Sequence, residues 1–74
     1  MVKFKLHLLM AEQRMTQKDV AEKTGIHAPT INKYFHDTYQ KIDKNHIIAF
    51  CKLFNCKVQD LIEYIPDDDS NTVD

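Results

Sequence analysis

The sequence predicts an all-α fold: a compact five-helix domain, led by a short N-terminal strand or extended arm. Three observations predict it. The chain has 74 residues, enough for one domain with a single small core. One Gly and two Pro supply too few turn residues for a many-stranded β architecture. Apolar residues at Ile47, Phe50, Cys51 and Phe54 recur at i, i+3, i+4 and i+7, the repeat of a helix with one buried face. With 43% apolar and 28% charged residues, the composition is that of a globular chain and not of a disordered one.

The elements follow in order. Val2, Phe4 and Leu6 alternate with Lys3, Lys5 and His7, the period of a strand or extended arm. The pattern then becomes helical, with Leu6, Leu9, Met10 and Gln13 sharing a face, which predicts a first helix over about residues 6–14. Thr16 and Asp19 have the spacing of a reciprocal cap that opens a second helix, and Asp19 suits the positive end of its dipole. Val20, Ala21 and Thr24 line one face of that helix. Gly25 ends it, since glycine enters the left-handed conformation without steric cost, and Ile26 follows as an apolar plug. Pro29 fits the first turn of a third helix. That helix turns Ile31, Tyr34 and Phe35 toward the core and Ala28, Thr30, Asn32 and Lys33 outward. Residues 36–43 read as a polar loop. Asp43 caps a fourth helix, Ile42 and Ile47 have the spacing of a hydrophobic staple, and Asn55 is the stop. Val58, Leu61 and Ile62 form a short fifth helix that Pro66 closes. Residues 1–66 are thus the domain, and residues 67–74 an acidic disordered tail.

Several function classes fall away. Two cysteines are too few for a disulfide-built secreted miniprotein, and Cys51 reads as a buried thiol. His46, Cys51 and Cys56 lack the paired spacing of a zinc site, and Asp67–Asp69 lacks the spaced ligands and Gly of a calcium loop, so neither a metal nor a cofactor is expected. His7 and His46 read as surface residues. No Ser/His/Asp set or carboxylate pair is discernible, and the chain is expected not to be an enzyme. The apolar start is broken by His7 and met at once by Glu12, so it is not a signal peptide. No stretch approaches the roughly 20 apolar residues of a membrane span, and a cytoplasmic protein without a membrane partner is expected. The net charge of −1 argues at first against a nucleic-acid partner. Its distribution removes the objection: residues 1–66 sum to +3 and residues 67–74 to −4.

The informative stretch is Gln17 to Asp37. Two helices joined by so short a turn must cross steeply and touch beside it. Ala21 is small enough for the close approach, Gly25 tolerates positive φ, and Val20, Ile26, Ile31 and Tyr34 glue the crossing. These constraints are those of a DNA-binding helix-turn-helix.

The run from Met15 to Tyr34, MTQKDVAEKTGIHAPTINKY, closely resembles the Cro/repressor-type helix-turn-helix domains of the xenobiotic-response-element (XRE) family. These are five-helix, lambda-repressor-like transcription regulators of bacteria and their phages. The resemblance covers about residues 6–65, including LFNCKVQDLI over residues 53–62. It implies base contacts from Ala28, Pro29, Thr30, Asn32 and Lys33, and backbone contacts from Gln17, His27, His36 and Lys41. Gln17 would also brace the recognition helix. Thr24 and His27 depart from the family's usual apolar residue and Ser or Thr cap. Chemically, Lys33 matches guanine O6 and N7, Asn32 matches adenine, and Ala28 and Pro29 offer apolar contact to a thymine methyl.

The expected function is therefore a sequence-specific regulator of double-stranded DNA, a repressor that reads the major groove with the helix around residues 28–36. The alternative is a protein-interaction module on the same scaffold, of antirepressor or antitoxin type. A homodimer, at least on DNA, is expected, and no small-molecule ligand is evident. Val2, Phe4, Tyr64 and Ile65 are the dimer-interface candidates. The same residues could instead cap the chain's own core as a strand pair of residues 2–5 and 63–65, and the sequence does not choose between the two.

Overall fold

The two ends of the domain are paired with each other. In the computed structural model, which describes residues 1–66, the elements run β1 (Val2–Phe4), α1 (Leu6–Gln13), α2 (Gln17–Thr24), α3 (Ala28–His36), α4 (Lys44–Phe54), α5 (Val58–Leu61) and β2 (Ile62–Tyr64). The expected acidic tail lies outside the described residues. β1 and β2 pair antiparallel, with Val2 opposite Tyr64, Lys3 opposite Glu63 and Phe4 opposite Ile62. Two backbone bonds extend the pairing at either end, Lys5 N–H to the Leu61 carbonyl and Ile65 N–H to that of Met1. The N-terminal arm thus caps the chain's own core.

Helices α1 to α4 each stop for a local reason. Gly25 (φ 78°) ends α2 in the left-handed region, and Arg14, Asp37 and Asn55 take the same conformation after α1, α3 and α4. For the short polar Asp and Asn this conformation costs less than for most residues. The α2 cap forms as expected: Asp19 N–H donates to Thr16 Oγ1 at 3.1 Å, and Thr16 N–H donates to Asp19 Oδ2 at 2.9 Å. These bonds to Thr16, foremost its backbone N–H, hold the Asp19 carboxyl below the usual carboxylate range. Asp43 Oδ1 accepts from Asn45 N–H at 2.7 Å and opens α4. The fifth helix corrects the sequence reading. It ends at Leu61, and Ile62 is already extended (φ −124°), well before Pro66. The pairing with β1 pulls Ile62 out of the helix, because its backbone is needed opposite Phe4.

The core comprises Phe4, Leu6, Met10, Val20, Ile26, Ile31, Tyr34, Phe50, Phe54 and Leu61. Every helix and β1 contributes to it. Tyr34 is the aromatic hub, with ring centroids 4.7 Å from Phe4 and 5.5 Å from Phe50. Two expectations change here. His46 is half-buried and not a surface residue, because its Nδ1 lies 2.8 Å from the Tyr34 hydroxyl. Cys51 is half-buried and not fully buried, as is Cys56. Among the described residues no three His, Cys, Asp or Glu side chains are grouped to hold a metal, and no helix is long and apolar enough to cross a membrane.

Candidate nucleic-acid interface

The α2–turn–α3 unit is held from within. Val20 and Ile31 are fully buried at the crossing, and Ile26 seals the turn. Thr24, polar where an apolar residue is the habit, spends its hydroxyl inside the unit. Its Oγ1 donates to the Val20 carbonyl at 2.7 Å and accepts from Ile26 N–H at 3.2 Å, which ties the helix end to the turn. His27 stands at the N-cap of α3 without a side-chain cap bond, so its imidazole stays exposed. Pro29 occupies the first turn of α3, where its missing N–H has no intrahelical partner to lose.

With Ile31 and Tyr34 buried, α3 presents Ala28, Pro29, Asn32, Lys33 and His36 to solvent, while Thr30 is half-buried. Helical spacing of three and four residues puts these exposed side chains on neighbouring rows of one face. No carboxylate lies within α3; Asp37, the residue that follows it, accepts Phe4 N–H at 2.9 Å. Gln17, at the start of α2, is half-buried, and its Oε1 accepts from Asn32 Nδ2 at 3.2 Å. The bond restrains the Asn32 amide but uses one of its two N–H donors, so the second donor and the carbonyl oxygen remain for a ligand. Beside α3 runs an open cleft of about 670 Å³, with Thr30 and Lys33 on one wall and Lys41 and Asp43 on the other.

Of the expected contact residues, the bond joins Gln17 to Asn32, and the cleft brings Thr30, Lys33 and Lys41 together. The dimer candidates divide. Val2 and Tyr64 sit opposite each other in the sheet and are 42% and 69% exposed; Ile65 is half-buried. Phe4 is 1% exposed and is taken up by the chain's own core, so it is not available to a partner.

Sequence reasoning missed the struts that hold the 37–43 segment. Tyr39 donates its hydroxyl to the Val2 carbonyl at 3.0 Å, beside the Asp37 bond to Phe4. The Tyr34 hydroxyl accepts from Asp43 N–H at 3.3 Å and meets His46 Nδ1 on its other side. These bonds fix the segment that carries Lys41. The Asp37 strut had a weak signal, an Asp just past a helix. The tyrosine hydroxyls had none, because their partners are distant in sequence.

No curated protein is significantly similar to this chain. Solved structures share its fold, among them two at 22% identity. One, from Bacteroides fragilis and described as a candidate DNA-binding protein, has a TM-score of 0.74 at 22% identity, covering 85% of this chain and all of its own. The other, the transcriptional regulator VanUg, has a TM-score of 0.71 at 22% identity and covers 89% of this chain and 87% of its own. A model of the Cro/C1-type HTH DNA-binding domain matches residues 5–67, nearly the whole chain. The chain therefore belongs to the Cro/C1-type helix-turn-helix DNA-binding domain family.

Proposed function

We propose that this protein is a sequence-specific regulator of double-stranded DNA, a repressor that inserts the N-terminal half of α3 into the major groove. The observation that carries the reading is the exposed α3 face, free of carboxylates and braced at Asn32 by Gln17. In this reading Asn32 and Lys33 supply the polar base contacts, and Ala28, Pro29 and Thr30 pack against base edges. Gln17, His27, His36 and Lys41 lie along the phosphate backbone and set the register. With two strongly polar readers, DNA shape carries a substantial share of the specificity.

One module of this size binds too few bases to be selective alone, so the functional unit is a homodimer on a pseudo-palindromic site. The exposed Val2 and Tyr64, with Ile65 beside them, support a dimer face on the sheet end of the domain. A Tyr64→Lys variant that sediments as monomer where the parent sediments as dimer supports this face; a parent that stays monomeric at high micromolar concentration removes it and leaves dimerisation on DNA.

The test of function is a titration on duplexes from the protein's own genetic neighbourhood. Tighter binding to one inverted repeat than to random duplex is expected at about 50 mM salt. Lys33→Ala should weaken that specific complex by about 1–3 kcal/mol. Equal affinity for random and candidate duplexes overturns the proposal. A stoichiometric protein partner together with a harmless Lys33→Ala would replace it by the protein-interaction reading.

A further inference from the structure

The two cysteines meet at the corner between α4 and α5, and DNA recognition makes no use of them. Asn55, in the left-handed conformation, ends α4 with a Schellman turn: Cys56 N–H bonds back to the Cys51 carbonyl at 3.1 Å and Asn55 N–H to that of Lys52. In this motif the residues at the two ends of the longer bond bring their side chains into contact. Here both residues are cysteine. The direct backbone bond keeps the two residues adjacent in space, and a disulfide spans Cα separations of ~4.4–6.8 Å. Both thiols are free and half-buried. Burial first, and the neighbouring Cys51 next, push the Cys56 thiol above its usual range. Cys56 also lines a cleft of about 410 Å³ between α1 and the corner, which gives a small oxidant access.

We propose that Cys51 and Cys56 form a reversible dithiol–disulfide site, set by the Schellman turn and oxidised by a hydroperoxide. One thiol, as thiolate, attacks the peroxide oxygen; the O–O bond breaks, an alcohol leaves, and that sulfur becomes a sulfenic acid. The second thiol then displaces water from it and the S–S bond forms. Two thiols are oxidised, one hydroperoxide is reduced, and the products are a disulfide, an alcohol and water. The bond would clamp the corner from which α5 and β2 depart, so the oxidised domain is the more stable form. The site is independent of the DNA-binding reading.

The full chain, reduced and then treated with tert-butyl hydroperoxide, is followed by free-thiol titration, intact mass and thermal unfolding. Both thiols should disappear together with a mass loss of two hydrogens, no covalent dimer, and full reversal by dithiothreitol. The unfolding midpoint should rise by roughly 5 °C or more in the oxidised form. Because the fold prearranges the pair, closure should run about tenfold or more faster in native buffer than in urea. Cys51→Ser and Cys56→Ser, each checked for helicity by circular dichroism, should give no intramolecular product. Overturning results are closure no faster than in urea, intermolecular crosslinks, or oxidation to sulfinic acid without a disulfide.

Discussion

The phenol of Tyr34 is 2% exposed, yet its oxygen has a partner on each side, Asp43 N–H and His46 Nδ1. One side chain thereby fills the core and joins α3 to the start of α4. Tyr39 works from the same segment, meeting the Phe4 ring edge to face at 5.1 Å between centroids and bonding the Val2 carbonyl. Its phenol is held above the ordinary range, first by burial, then by the nearby Asp37 carboxylate. The consequence for stability has a definite sign. A group whose folded pKa is raised adds stability that is complete below its unfolded value and is lost as pH rises through the folded one. The loss therefore begins above about pH 10. As a phenolate Tyr39 can no longer donate to Val2, so the clamp on β1 opens in the same range. Thermal midpoints between pH 8 and 11 should fall more steeply for the parent than for Tyr39→Phe, with the two curves converging at the alkaline end. Parallel curves would mean that the hydroxyl contributes nothing to holding the arm.

Among the elements, those with caps and breakers close in sequence were legible, and those set by distant partners were not. Helix α2 could be read because Thr16, Asp19 and Gly25 specify its ends within ten residues. The outer face of α3 was legible for the same reason, since Ile31 and Tyr34 declare which side is buried and so leave Asn32 and Lys33 on the other. Helix α5 was not legible to its end. Val58, Leu61 and Ile62 fit a helix, and the strand that claims Ile62 pairs with Phe4 at the opposite end of the domain. The sheet likewise decided between two uses of Phe4 that its own neighbours left open. The cap on α2 gives a direct test of the locally specified part. Thr16→Ala removes the acceptor for Asp19 N–H and should cost about 1 kcal/mol. For a domain of this size that is a fall of roughly 4–8 °C in the unfolding midpoint. It should also weaken DNA binding through Gln17, the first residue of α2 and the brace of Asn32. A midpoint that falls while affinity at low temperature is unchanged would show that the brace does not depend on the cap.

For the whole molecule, charge is the property that the total conceals. Residues 1–66 sum to +3, and residues 67–74 reverse this to −4. Within the domain, Asp19, Asp37, Asp43 and Asp60 each turn a carboxylate oxygen to a backbone N–H. Lys33, Lys41, His27 and His36, the residues proposed to face DNA, are all exposed. A domain so mildly basic releases few counterions on binding, so affinity for random duplex should be weak, with a correspondingly shallow dependence on salt. The acidic segment opposes even that, because its repulsion of phosphate reaches about a Debye length, ~10 Å at 0.1 M salt and further when dilute. A protein ending at residue 66 keeps the pairing of Ile65 with Met1 and hence the closed sheet. Its affinity for random duplex should exceed that of the full chain near 50 mM salt, with the gap closing as salt shortens the screening length. Preference for the specific site over random duplex should change little, since the proposed base contacts all lie on α3. An affinity that does not respond to removal at any salt concentration would place the acidic segment beyond reach of the duplex, and the domain's own +3 would then be the whole of its long-range attraction.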